Sequence, residues 1–178
     1  TKADWVNFEA AIKHKRDDKF EYAGMVQMKD KYLVQDRVNK VYYETPQVRY
    51  MIVAAAGFIN DVKAKRRDFV KAFYNVMSTF KVGIATPPLA GLGTPTRQFS
   101  SCVLIDTDDD LDSISATAVA NSKYVSQRAG IGNNFGRTRP AGSMVRTGDV
   151  KHTGLIPFLN IQKTADQRCS QGSLRGGG

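Results

Sequence analysis

Cysteine and histidine are scarce in this 178-residue sequence: two cysteines, Cys102 and Cys169, and two histidines, His14 and His152. No C-x-x-C pair occurs, so a zinc ribbon or a thioredoxin-type motif is excluded, and two histidines do not complete a metal site; no metal is expected in this chain. Long hydrophobic runs are also missing. The longest, Met51 to Ile59, has nine residues, whereas a membrane-spanning helix needs about 20. The N-terminus lacks the layout of a secretory signal, so the reading is cytoplasmic, with no membrane partner. Glycine is nearly absent from the first half: Gly24 and Gly57 alone precede Val82, and 13 of the 15 glycines follow it.

What is present is ordinary for a globular protein, 42% apolar and 24% charged residues. Basic side chains outnumber acidic ones 26 to 17, and residues 1–81 hold 16 of the basic and 10 of the acidic ones. Lys63, Lys65, Arg66 and Arg67 form the densest cluster. Nothing with the spacing of a helix-turn-helix, finger or RNA-recognition motif accompanies it, so a solvated helix face is expected rather than a nucleic-acid surface.

The first half reads as helical. Trp5, Phe8 and Ile12 fall at helical spacing behind Asp4 as N-cap, and a second helix is expected over Tyr22 to Tyr32. Val41 to Tyr43 suggests a short strand. A third helix opens at Pro46 and is apolar nearly all round, so it should be buried. A fourth, Asp61 to Phe80, carries Phe69, Val70, Phe73, Val76, Met77 and Phe80 on one stripe. From Val82 the pattern changes to short strands and helices: a strand over Val82 to Leu89, a strand over Phe99 to Ile105, a helix over Leu111 to Arg128, a strand over Ile131 to Thr138, a loop from Gly142 to Gly154, and a helix from Leu155 to Asp166. That order predicts an α/β fold, a helical subdomain (residues 1–81) followed by the opening of an α/β barrel (residues 82–178).

Two features within Thr94 to Gly136 carry candidate chemistry. Cys102 sits in an apolar strand beside Ser100 and Ser101, as a redox thiol or as a small core hydrophobe. Four aspartates, Asp106, Asp108, Asp109 and Asp110, precede a helix. On the residues alone they read as a solvated first turn complementing the helix dipole, or as a ligand site.

Three stretches weigh on these alternatives: Pro95-Thr96-Arg97-Gln98-Phe99-Ser100-Ser101-Cys102, Lys123-Tyr124-Val125-Ser126-Gln127-Arg128-Ala129-Gly130-Ile131-Gly132, and Cys169-Ser170-Gln171-Gly172-Ser173-Leu174-Arg175-Gly176-Gly177. In this order and spacing they resemble the large (α, catalytic) subunit of class I ribonucleoside-diphosphate reductase. The resemblance implies a ten-stranded barrel of which the first strands are present. It implies reduction of ribonucleoside diphosphates to deoxyribonucleotides by radical chemistry, with Cys102 as one of a redox-active cysteine pair. Thr86, Ser101, Cys102, Ala129 and Gly130 match substrate-lining positions. Asp109, Asp110 and Leu111 match the positions that hold the deoxyribose of an effector nucleoside triphosphate, and Arg139 and Arg146 those that grip its phosphates. Cys169, Ser170, Gln171, Gly172, Ser173, Leu174, Arg175 and Gly176 match the loop that relays effector identity to the substrate pocket, with Cys169 itself a structural thiol.

The implied partners are ribonucleoside diphosphates, deoxynucleoside triphosphate or ATP effectors with Mg2+, a second α subunit, a small subunit that houses the radical cofactor, and thioredoxin or glutaredoxin. No covalent cofactor is implied in this chain. The family's radical-bearing cysteine, second redox cysteine, C-terminal cysteine pair and ATP-cone have no counterpart here. With the start on Thr1 and the end in Gly176 to Gly178, the expectation is an excerpt of a longer polypeptide, inactive by itself. Two other functions stay open: a regulatory nucleotide-binding module in which Cys102 has no role, and a basic nucleic-acid-binding module.

Overall fold

In the computed structural model, which describes residues 1–127 and 129–168, the chain divides into two compact units, Thr1–Phe99 and a second beginning at Ser100. The first is built around helix α3, Pro46–Gly57. Thr45 caps it by accepting the Val48 N–H, and Pro46 fills the first turn, where no N–H is needed. As expected, α3 is buried on most of its surface. It packs on α4, Lys63–Ser78, and Val53, Ala54, Val70, Tyr74 and Met77 close the core between them.

The remaining elements of this unit wrap that pair. Helix α1, Lys2–Glu9, is capped by Thr1 rather than by Asp4: Asp4 stands three residues inside and completes a capping box with Thr1. A 3-10 turn, His14–Lys19, leads to α2, Tyr22–Gln27, which runs into a π-helical turn at Met28–Tyr32. Together these span the helix expected over Tyr22 to Tyr32. Strands β1, Gln35–Asp36, and β2, Val41–Tyr42, form a short antiparallel hairpin. Of the stripe expected on α4, Val70 and Met77 are buried, but Phe69 and Phe80 are largely exposed, and Tyr74 takes the central place. Its hydroxyl donates to Gln47 Oε1 (2.9 Å) and accepts the Lys13 N–H (2.8 Å), so a tyrosine is satisfied where a phenylalanine would leave Gln47 and Lys13 without it.

The strand expected over Val82 to Leu89 is absent. Residues Thr86–Gly91 form a short helix, α5, with prolines in its first turn. Pro87 and Pro88 cannot donate to a strand ladder but fit a helix start. Arg49 then ties α5 into the first unit. Its fully buried side chain donates from Nε to the Leu89 carbonyl (2.8 Å), from Nη2 to the Leu92 carbonyl, and from Nη1 to Glu44 (3.2 Å). Glu44 in turn accepts the Val34 N–H (3.1 Å). Gly93, at φ +78°, passes so close to α3 that a Cβ would lie 2.5 Å from Ile52 Cγ2. For these reasons the first compact unit extends through α5 to Phe99.

The second unit pairs β3, Cys102–Asp106, with β4, Gly130–Asn134, in parallel. Helix α6, Leu111–Ser126, makes the crossover between them, as a parallel pair requires. The expected loop from Gly142 to Gly154 contains an antiparallel hairpin, β5 (Met144–Val145) with β6 (Val150–Lys151), followed by α7, Ile156–Arg168, which packs on α6. No described helix is long and apolar enough to cross a membrane.

Removing Arg49 leaves Glu44 and two carbonyls buried without their donor, and breaking a buried pair in this way costs about 3–5 kcal/mol. Arg49→Ala should therefore lower the urea midpoint of the first unit sharply. Trp5, the single tryptophan, reports on that unit by fluorescence. An unchanged midpoint would contradict the anchoring role.

Candidate functional site

The acidic turn after β3 is fully engaged within its own unit. Asp106 and Asp108 share Arg137, each at 2.6 Å. Asp110 caps α6 by accepting the Ser113 N–H (2.8 Å), and Ser113 Oγ accepts the Asp108 N–H (2.9 Å). Beneath them, the buried Thr107 and Thr117 hydroxyls meet at 2.8 Å. Asp109 faces the loop after β4: it accepts the Arg139 backbone N–H (3.0 Å) and the Arg139 Nε, while Arg139 Nη2 donates to the Asp109 carbonyl (3.2 Å). The Arg139 backbone N–H and then its guanidinium hold the Asp109 carboxyl below the usual carboxylate value. The turn is thus a set of paired charges and a cap, not a freely solvated run.

This clasp forms one wall of a cleft of about 470 Å³, within the range of small-molecule sites. Asp109, Asp110, Leu111, Arg139 and Arg146 all line it, so the five residues expected to act together do meet, although they span 38 positions of sequence. The hairpin adds Val145, Val150 and Lys151, and the segment after it adds His152 and Thr153. Sequence reasoning missed these. The signal was a Gly-containing four-residue turn, Arg146-Thr147-Gly148-Asp149, with an apolar residue, Val145 or Val150, on either side. Arg146 and Thr147 adopt left-handed conformations, φ 49° and 59°, beside Gly148 at φ 101°, which is unusual for residues with a Cβ. His152 extends the ladder through Gly142 and Ser143, and its ring stacks on Phe158 at 5.6 Å. Gly154, at φ +85°, approaches Ala141 so closely that a Cβ would sit 3.0 Å from the alanine methyl.

The second candidate group lies at the start of β3 and β4. Register pairs Cys102 with Gly130, and the Gly130 N–H donates to the Ser101 carbonyl (2.9 Å), so Ser101, Cys102, Ala129 and Gly130 share one end of the parallel pair. Cys102 is a free, exposed thiol. The reading of Cys102 as a small core hydrophobe therefore does not hold in this chain. The strand alternates exposed and half-buried positions, and Leu104, two residues on, is 87% exposed, because two strands leave one face uncovered. Thr86 belongs to the first unit, at the start of α5, where its hydroxyl meets that of Tyr32 at 3.3 Å. The loop Cys169 to Gly176 lies outside the described residues. Among those described, no three His, Cys, Asp or Glu side chains cluster as a metal site.

Residues 18–97 match the ribonucleotide reductase all-alpha domain, and residues 100–178 match the ribonucleotide reductase barrel domain. The chain belongs to the ribonucleotide reductase family, as the helical and barrel-opening part of a class I large (α) subunit. It is 52% identical over 177 residues to the ribonucleoside-diphosphate reductase subunit alpha of Haemophilus influenzae, covering 99% of this chain and 23% of that protein. The ribonucleoside-diphosphate reductase 1 subunit alpha of Escherichia coli is 51% identical over the same share of each. The subunit alpha of Enterobacteria phage T4 is 46% identical over 169 residues, 95% of this chain and 22% of the relative. The chain spans about a quarter of the length of these relatives.

Asp109 tests the clasp by pH. Its folded-state pKa is depressed from 3.8, so its contribution is present above that value and lost as pH falls through the lowered one. Exchange protection of the Arg139 amide should persist at neutral pH and fade only below the ordinary carboxylate range. In Asp109→Asn that acid step should vanish. The same step in both proteins would contradict the clasp.

Proposed function

We propose that this chain is the effector-binding and substrate-approach portion of a ribonucleoside-diphosphate reductase α subunit, a cytoplasmic enzyme of deoxyribonucleotide synthesis. The observation that carries the reading is the cleft, where an acidic turn and two arginines from three separate segments converge. A nucleoside triphosphate is the ligand this arrangement suits. Asp110 has oxygen lone pairs beyond those used in capping for a sugar hydroxyl, Leu111 offers an exposed apolar face, and the Arg139 and Arg146 guanidinium groups suit phosphate oxygens. The carboxylates of the cleft are already bonded to Arg139 and to the α6 backbone, so a Mg2+ arriving with the triphosphate would be held chiefly by the phosphates.

In the reduction, the ribose loses its 2'-hydroxyl as water. The two electrons come from the Cys102 thiol and a second thiol elsewhere in the full-length subunit, which join as a disulfide with loss of two protons. An external dithiol protein, thioredoxin or glutaredoxin, then restores both thiols by exchange. The position of Cys102 at one end of the parallel pair, beside Ser101, Ala129 and Gly130, supports this role: its neighbours are small enough for close approach of a sugar. Thr86 matches a further substrate-lining position of the family, and Cys169 to Gly176 match its relay loop. The radical originates in a small partner subunit, and the α subunit works as a homodimer. The chain by itself is inactive. The proposed division of roles falls at Val82, inside the first compact unit: residues 1–81 are scaffold, and residues 82–178 carry the chemistry.

In a full-length subunit carrying this sequence, Cys102→Ser should abolish multiple turnover per folded molecule while effector binding survives, because serine cannot form the disulfide. Arg139→Ala and Arg146→Ala should each weaken effector binding about ten- to a hundredfold, the worth of one charge-assisted contact, and leave basal reduction of at least one substrate. Normal turnover in the serine variant would refute the redox role. Unchanged effector affinity in both arginine variants would refute the cleft assignment.

A further inference from the structure

Three cations line the cleft, and they are not equally available. Arg139 is committed to Asp109 through Nε, Nη2 and its backbone N–H. Arg146 and Lys151 form no ion pair among the described residues. Both belong to the hairpin: Arg146 follows β5 directly, and Lys151 closes β6 opposite Met144. The hairpin carries them on one support, whose turn has positive φ at three consecutive residues and whose ladder continues through Ser143 and His152. Within the cleft the Asp109 and Arg139 charges cancel, and Asp110 is the remaining acid against two unpaired cations. The local field therefore favours an anion richer in charge than a single carboxylate would balance.

We propose that Lys151 is a phosphate contact of this cleft, selecting triphosphates over less charged nucleotides by adding a second unpaired cation beside Arg146. The inference rests on the reading of the cleft as a nucleotide site. Nothing in the hairpin itself requires lysine: position 151 is exposed and its partner Met144 is exposed as well, so many side chains fit there. An ammonium at that place supplies a flexible point charge, which suits a phosphate whose position is fixed by the arginine's planar fork.

The test uses a full-length α subunit carrying this sequence, with dTTP and dTDP as probes in equilibrium binding. Lys151→Gln should weaken dTTP about three- to tenfold at low salt, within the span from exposed ion pairs to charge-assisted hydrogen bonds. Its effect on dTDP should be smaller, so the preference for the triphosphate narrows. The dependence of dTTP affinity on salt should become shallower. Lys151→Arg should restore both. If Lys151→Gln leaves both affinities unchanged while Arg146→Ala weakens dTTP, the proposal is overturned and the cleft reading stands. If neither variant alters binding of either nucleotide, the cleft reading itself falls, and the proposal with it. Thermal midpoints equal to wild type confirm that the variants are folded, and Lys151→Met provides a second neutral variant should the glutamine protein misfold.

Discussion

The bidentate grip of Arg139 on Asp109 is the constraint on which the second unit's cleft depends. A parallel strand pair with one crossover helix has no intrinsic reason to hold the loop after β4 against the turn after β3. Arg137 joins β3 and its following turn across to the post-β4 loop through Asp106 and Asp108, and Arg139 adds the backbone and side-chain bonds that close the cleft wall. Exposed ion pairs of this kind contribute little each. Here they act as a network on a short segment, with the backbone N–H of Arg139 fixing the carboxylate that its guanidinium also holds, so the positional effect exceeds what either contact would have alone.

The first unit solves a different problem with similar chemistry. Arg49 is buried where charge is costly, and it is tolerated because Glu44 and two carbonyls accept its donors. Burial pulls its guanidinium pKa down while Glu44 opposes that shift, yet arginine stays charged under all ordinary conditions. The consequence is structural: the segment carrying Thr86 is fixed to α3.

Much of this organisation was legible in the sequence because it rests on local rules. Pro46 announced α3, the aspartates ending at Asp110 stood at the start of α6, and the glycine asymmetry marked a change from helical to α/β structure. Five residues of the cleft were named by resemblance, and only tertiary pairing brings them together. Other features could not be read locally. Val82 to Leu89 looked like a strand because its apolar content is high, but Pro87 and Pro88 decide the outcome. Cys102 looked buried because its strand is apolar, yet exposure depends on how many strands and layers cover it, a property of the assembled sheet. The β5–β6 hairpin is two residues per strand, too short for periodicity to show, and Lys151 therefore went unremarked. The Asp109–Arg139 and Asp106–Arg137 pairs join positions about 30 apart, beyond any pattern of neighbouring residues.

The central claim is that the acidic turn and the hairpin together form a nucleoside triphosphate site. Hydrogen exchange measured on a full-length subunit carrying this sequence, with and without a saturating deoxynucleoside triphosphate, tests it directly. Added protection is predicted in residues 109–111, 139 and 144–153, with none along the basic face at Lys63 to Arg67. Protection confined to that basic face, or absent from both the turn and the hairpin, would contradict the account.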